Sequence, residues 1–84
     1  MRDTLRSPRQ IVLRTELRAL RERNRLSQVT VARRLGKHQS FVSKYELGER
    51  RLSVIEFIDV VRALGGEPAA VLRRFIPAID GAGP

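Results

Sequence analysis

The chain has no cysteine, one histidine and only four aromatic residues, Phe41, Tyr45, Phe57 and Phe75. Without cysteine, a disulfide scaffold and thiolate metal sites are excluded, which fits a reducing compartment. His38 has no second ligand in a recognisable spacing, so neither a metal nor a cofactor is expected. With so few rings the core must be largely aliphatic, a composition that suits packed helices. No run of about 18 apolar residues exists to cross a bilayer, and the first nine residues are charged and polar rather than a secretory signal, so a soluble cytoplasmic location is expected. In 84 residues there is room for one modest core and none for a separate catalytic domain. There is also no Gly-rich phosphate loop and no carboxylate pair placed to converge in a pocket, so an enzyme is not expected. The chain lacks the aromatic platforms on a sheet that many RNA binders use.

Acidic residues are the other scarcity. Seventeen Lys and Arg face nine Asp and Glu, a net charge of +8. The imbalance is local: residues 1–51 hold 14 basic and 5 acidic side chains, whereas residues 52–84 hold 3 and 4. Segregated positive charge attracts a polyanion and releases its condensed counterions on binding, which makes nucleic acid the leading partner. A solvated basic face would give the same count. Fifteen of the basic residues are Arg, which suits forked phosphate and guanine contacts but equally follows from GC-rich coding.

Caps and breakers divide the chain into five short helices, with no alternating strand pattern. Ser7-Pro8-Arg9-Gln10 sets an N-cap serine, a first-turn proline and a capping-box glutamine before a helix reaching about Asn24, with Leu13, Leu17 and Leu20 on one face. Ser27 caps a second helix carrying Val31 and Leu35, and Gly36 stops it. A third runs from about Gln39 to before Gly48, burying Val42 and Tyr45. Ser53-Val54-Ile55-Glu56 is a capping box for a fourth, with Phe57, Ile58, Val61 and Leu64 as its stripe and Gly65-Gly66 at its end. Pro68 opens a fifth with Val71, Leu72 and Phe75, and Pro77 is expected to stop it. The organisation read from this is a flexible basic arm over 1–8, one domain over 9–76 and a loose tail over 77–84.

The stretch Leu26 to Arg51 is the most specific. Two helices joined by a three- or four-residue turn at a steep angle need a small residue where their backbones meet, and Ala32 stands in the middle of the first. Gly36 follows, and Val42 six residues later locks the second helix while Gln39, Ser40, Ser43 and Lys44 face outward. Alanine, glycine and valine alone would also suit an ordinary bundle. Together with Leu26-Ser27-Gln28, Val31-Ala32, Leu35-Gly36, Gln39 to Glu46 and Gly48-Glu49-Arg50, the segment resembles the lambda repressor/Cro-type helix-turn-helix family of xenobiotic-response-element-like regulators, over roughly Leu17 to Phe75. Lys37 and His38 depart from the family pattern, where an aliphatic residue and a Ser, Thr or Pro are common.

The resemblance implies an all-α, compact five-helix bundle whose third helix enters the DNA major groove, in a sequence-specific regulator, expected to be a repressor working as a homodimer on a near-palindromic operator. Gln39 can pair with adenine N6 and N7, Ser40 can donate or accept, and Lys44 can reach guanine or a phosphate. Ser43 and His38 are further base-readout candidates; Phe41 either touches a thymine methyl or folds back on the bundle. Gln28, Lys37, Arg50, Arg51 and one of Arg33 and Arg34, taken as Arg34, are expected at the DNA backbone. Arg21 and Glu46 match a family ion pair bracing helix 3. Val71, Phe75, Ile76 and Ile79 are candidates for a dimer interface. The other reading of the same fold is an antitoxin-like or other interaction module holding a protein partner, such as a toxin or the transcription machinery.

Overall fold

The computed structural model describes residues 6–83, so the first five residues of the expected basic arm and Pro84 lie outside the described residues. Five helices follow in order: α1 (Pro8–Arg23), α2 (Gln28–Leu35), α3 (Gln39–Leu47), α4 (Val54–Ala63) and α5 (Pro68–Gly81). No strand occurs among the described residues.

The helix starts follow the expected local chemistry. Ser7 Oγ accepts from Gln10 N, Ser27 Oγ from Thr30 N and Ser53 Oγ from Glu56 N, each satisfying an orphan donor of the first turn. At Ser53 the Glu56 carboxylate returns the bond, completing the capping box. Four of the helix ends also share one form, α4 closing on left-handed Gly65 with Gly66 N donating to Val61 O and Gly65 N to Arg62 O. At α2, Lys37 N donates to Ala32 O and Gly36 N to Arg33 O, with Gly36 left-handed at φ 66°. Gly48 does the same after α3. At the end of α1 the left-handed position is held by Arg25, at φ 58°.

The core gathers one stripe from each helix. Leu17 and Leu20 come from α1, Val31 and Ala32 from α2, Val42 and Tyr45 from α3, Phe57, Val60, Val61 and Ala63 from α4 with Leu64 at its end, and Val71 and Phe75 from α5. The buried positions of this segment are therefore 57, 60, 61, 63 and 64, and the expected Ile58 is only half-buried, because Val60 completes the stripe of one helical face. α2 packs on α3 and α4, and α1 spans α3 and α5.

Two expectations about α5 are corrected. Pro77 lies inside the helix, which continues to Gly81. The proline and Arg73, whose carbonyl loses its donor, are both exposed, so that carbonyl can be hydrated. Beyond the proline, Ile79 packs against the core, and Arg9 bonds Asp80 at 3.2 Å, tying the last turn to α1. Most of the segment read as a loose tail is thus helical. Val71 and Phe75 are 5% and 1% exposed, and the Phe75 ring meets Phe57 edge-on at 6.5 Å. They belong to the core of one chain and are unavailable to a second. Ile76 stays 49% exposed.

Candidate nucleic-acid interface

α2 and α3 are separated by Gly36, Lys37 and His38 alone. Val31, Ala32 and Val42 are fully or almost fully buried where the two helices meet, and Tyr45 is buried one turn after Val42. Burial pushes the Tyr45 phenol up, and its hydroxyl has no hydrogen-bond partner among the described residues. With that face of α3 committed to the core, Gln39, Ser40 and Ser43 remain partly accessible and Lys44 is exposed.

A chain of polar contacts runs from the core edge to the first residue of α3. Arg21 Nε and Nη2 donate to Glu46 at 2.6 and 3.0 Å, a bidentate pair whose side chains are only 12% and 3% exposed. The guanidinium also reaches Leu26 O at 2.9 Å. Glu46 holds the Arg21 guanidinium above its usual range, working against burial. The same carboxylate accepts from Gln28 Nε2 at 2.8 Å, and Gln28 Oε1 accepts from Gln39 Nε2 at 2.6 Å. An ionised carboxylate can only accept, so it orients both amides: Gln28 must turn its nitrogen toward Glu46, which leaves its oxygen for Gln39. Gln39 then keeps Oε1 and one N–H, the acceptor and donor that pair with adenine N6 and N7.

The turn into α3 has its own arrangement. His38 is the N-cap: its Nδ1 accepts from Ser40 N at 3.1 Å and lies 3.0 Å from Ser40 Oγ. Two cations also lie over the Phe41 ring, Lys37 Nζ at 5.5 Å and the Arg50 guanidinium at 4.7 Å from its centroid, and the ring packs edge-on against Tyr45 at 5.7 Å. Arg50 is in turn forked onto Glu56 at 2.9 and 2.7 Å and bonded to Arg51 O. The Arg50 guanidinium, helped by the Ser53 backbone N–H, draws the Glu56 carboxyl down to about 2. The clamp links the loop after α3 to the first turn of α4.

A sequence profile described as Helix-turn-helix matches residues 17–71, well over half of the chain. Among solved structures, the XRE-family like protein from Pseudomonas syringae pv. tomato str. DC3000 is 43% identical, covers 83% of this chain with 85% of its own, and superposes with a TM-score of 0.79. The chain belongs to the lambda repressor/Cro-type helix-turn-helix family. No curated protein matches it. The helix-turn-helix of this XRE-type protein is α2 and α3, its bundle is of the lambda repressor-like kind, and it is a DNA-binding regulator. No described helix is long and apolar enough to cross a membrane.

Within this helix-turn-helix protein, the structure brings together Arg21, Glu46, Gln28 and Gln39, and the brace expected between the first two is present. Four of the residues expected at DNA are placed elsewhere. Phe41 takes the folded-back alternative, half-buried against the core rather than aimed at a thymine methyl. Arg50 is occupied by Glu56, so the full charge expected at a phosphate is largely neutralised inside the protein. Arg34 donates to Ala63 O at 2.9 Å and closes the carboxyl end of α4, drawn there by an unpaired helix carbonyl. Lys37 covers the Phe41 ring with its ammonium. Sequence reasoning also passed over Asn24, whose side-chain amide reaches Leu64 O at 2.6 Å, and the second role of Glu56. The six-residue offset from Arg50 to a capping-box glutamate was the one legible signal of that pair.

Proposed function

We propose that the protein is a transcriptional repressor that binds a near-palindromic duplex operator as a homodimer, each copy reading a half-site with α3. The observation that carries the reading is the oriented Gln28–Gln39 pair, which leaves a paired donor and acceptor at the first residue of the readout helix. Ser40, Ser43 and Lys44 complete the readout face. Lys44, Arg51 and Gln28, which keeps a second amide N–H, meet phosphates, with the amides at the start of α2 adding positive potential. Half-sites about one helical turn apart, roughly 34 Å, are expected.

For the homodimer, the exposed apolar residues of α5 are Leu72 and Ile76, four apart on one face, with Ile79 following. Val54, 75% exposed at the start of α4, lines a groove with Leu13, Leu52, Phe57, Leu72 and Ile79, and the next residue, Ile55, is 68% exposed. That exposed apolar area also favours the second reading, a protein partner held on the same face, as in an antitoxin. Selection of bound duplexes from a random pool, with sedimentation of the free and bound protein, tests both. An inverted repeat bound by two copies supports the repressor. A monomer with no enriched sequence would overturn it and favour the partner-binding module.

A further inference from the structure

His38 stands where the family pattern breaks, and its contacts fix its chemistry. A neutral imidazole carries one proton. Because Nδ1 accepts the Ser40 backbone N–H at 3.1 Å, the proton is on Nε2, on the far side of the ring from the helix. The Ser40 hydroxyl lies 3.0 Å from the same Nδ1, which has no proton to give, so in any bond between them the hydroxyl donates, sharing the one lone pair with the backbone N–H, and its own lone pairs are left for other partners. The N-cap thus fixes His38 as a donor at Nε2 and biases the Ser40 hydroxyl toward accepting from other partners. His38 is exposed and immediately precedes Gln39, at the end of a readout helix whose first residues lie nearest the base edges.

We propose that His38 is a specificity-determining residue whose Nε2–H donates to the major-groove edge of a guanine, while Ser40 Oγ accepts from an amino group on a neighbouring base. Guanine is the base whose edge offers two acceptors, N7 and O6, and no competing amine in that groove, so a single N–H finds a partner across its width. At cytosine the same N–H meets the N4 amine, and two donors face each other. The Ser40 lone pairs carry the opposite preference, for adenine N6 or cytosine N4. This assignment rests on α3 reading duplex DNA.

The test uses His38→Ser and His38→Asn, both cap-forming residues that keep the α3 start but are too short to present the ring donor. Circular dichroism checks that each keeps the helix content of the parent. In a random-pool selection, the parent protein is expected to enrich an inverted repeat with guanine at one symmetric pair of positions. Both variants should keep the rest of the repeat and lose that guanine preference, with about tenfold weaker binding to the parent's operator. Replacing the guanine by 7-deazaguanine or 2-aminopurine, which remove N7 or O6, should weaken the parent and leave the variants unchanged. Retention of full guanine preference by the variants would reduce His38 to a cap and overturn the proposal. Equal weakening on every duplex would make it a phosphate contact and overturn it as well. If the parent enriches no repeat, the operator reading itself fails.

Discussion

Replacing Glu46 by alanine leaves the Arg21 guanidinium in a site where its side chain is only 12% exposed, without the two carboxylate oxygens that now accept from it. Removing one partner of a buried ion pair costs about 3 to 5 kcal/mol, and the residual hydration of Arg21 places this pair near the lower figure. A domain of this size has roughly 4 to 13 kcal/mol of stability in all. A loss of about 3 kcal/mol would lower Tm by about 12 to 24 °C, read by circular dichroism. Because desolvating the pair is itself unfavourable, the double variant Arg21→Met with Glu46→Leu should recover most of that stability. It should not recover base preference. Without an acceptor-only group at position 46, the Gln28 amide is free to turn over, and Gln39 loses its fixed donor and acceptor. Selection with the double variant is therefore expected to show a relaxed preference at the Gln39 position on a well-folded protein. A loss below about 1 kcal/mol for Glu46→Ala, or a double variant with unchanged base preference, would refute the orienting chain.

The Arg50–Glu56 clamp is acid-sensitive. Its carboxyl is drawn to about 2 in the folded chain from an ordinary 4.5, so its stabilisation is complete above about pH 4.5 and lost as pH falls toward 2. For a pair with 39% and 25% exposed side chains about 1 kcal/mol is expected, visible as a lower urea midpoint at pH 3 than at pH 6 that Glu56→Gln flattens. Arg25, left-handed at φ 58°, should gain about 0.5 to 1 kcal/mol on replacement by glycine; an unchanged or lower midpoint would show that its side chain outweighs the strain. Ile76→Glu puts a charge on the exposed α5 face and should dissociate the proposed dimer in sedimentation while leaving the monomer fold intact. A persistent dimer would move the interface elsewhere.

The capping residues show what was readable from the chain alone. Ser7, Ser27 and Ser53 start helices and Gly36 and Gly48 end them through bonds to residues three or four positions away, and Pro68 opens α5 by its fixed φ, so the one-dimensional pattern contains what each needs. The apolar stripes follow the same local period, and the short α2–α3 turn with Ala32, Gly36 and Val42 is why the family and its readout helix were legible before any geometry.

What only the tertiary structure decided are the side chains whose partners are distant in the chain or compete on one surface. Arg34 and Arg50 look like free cations in the sequence, yet one meets a carbonyl 29 residues away and the other a carboxylate and an aromatic ring at once. Val71 and Phe75 share an apolar pattern with Ile76, and packing against α4 and α1, not hydropathy, sorts core from surface. Pro77 obeys a local rule that a docked Ile79 and an Arg9–Asp80 contact override. Local hydrogen-bond geometry therefore set the elements and the readout helix. Long-range packing and charge pairing set which of its basic and aromatic residues remain for DNA, because those choices depend on distances that the sequence order does not contain.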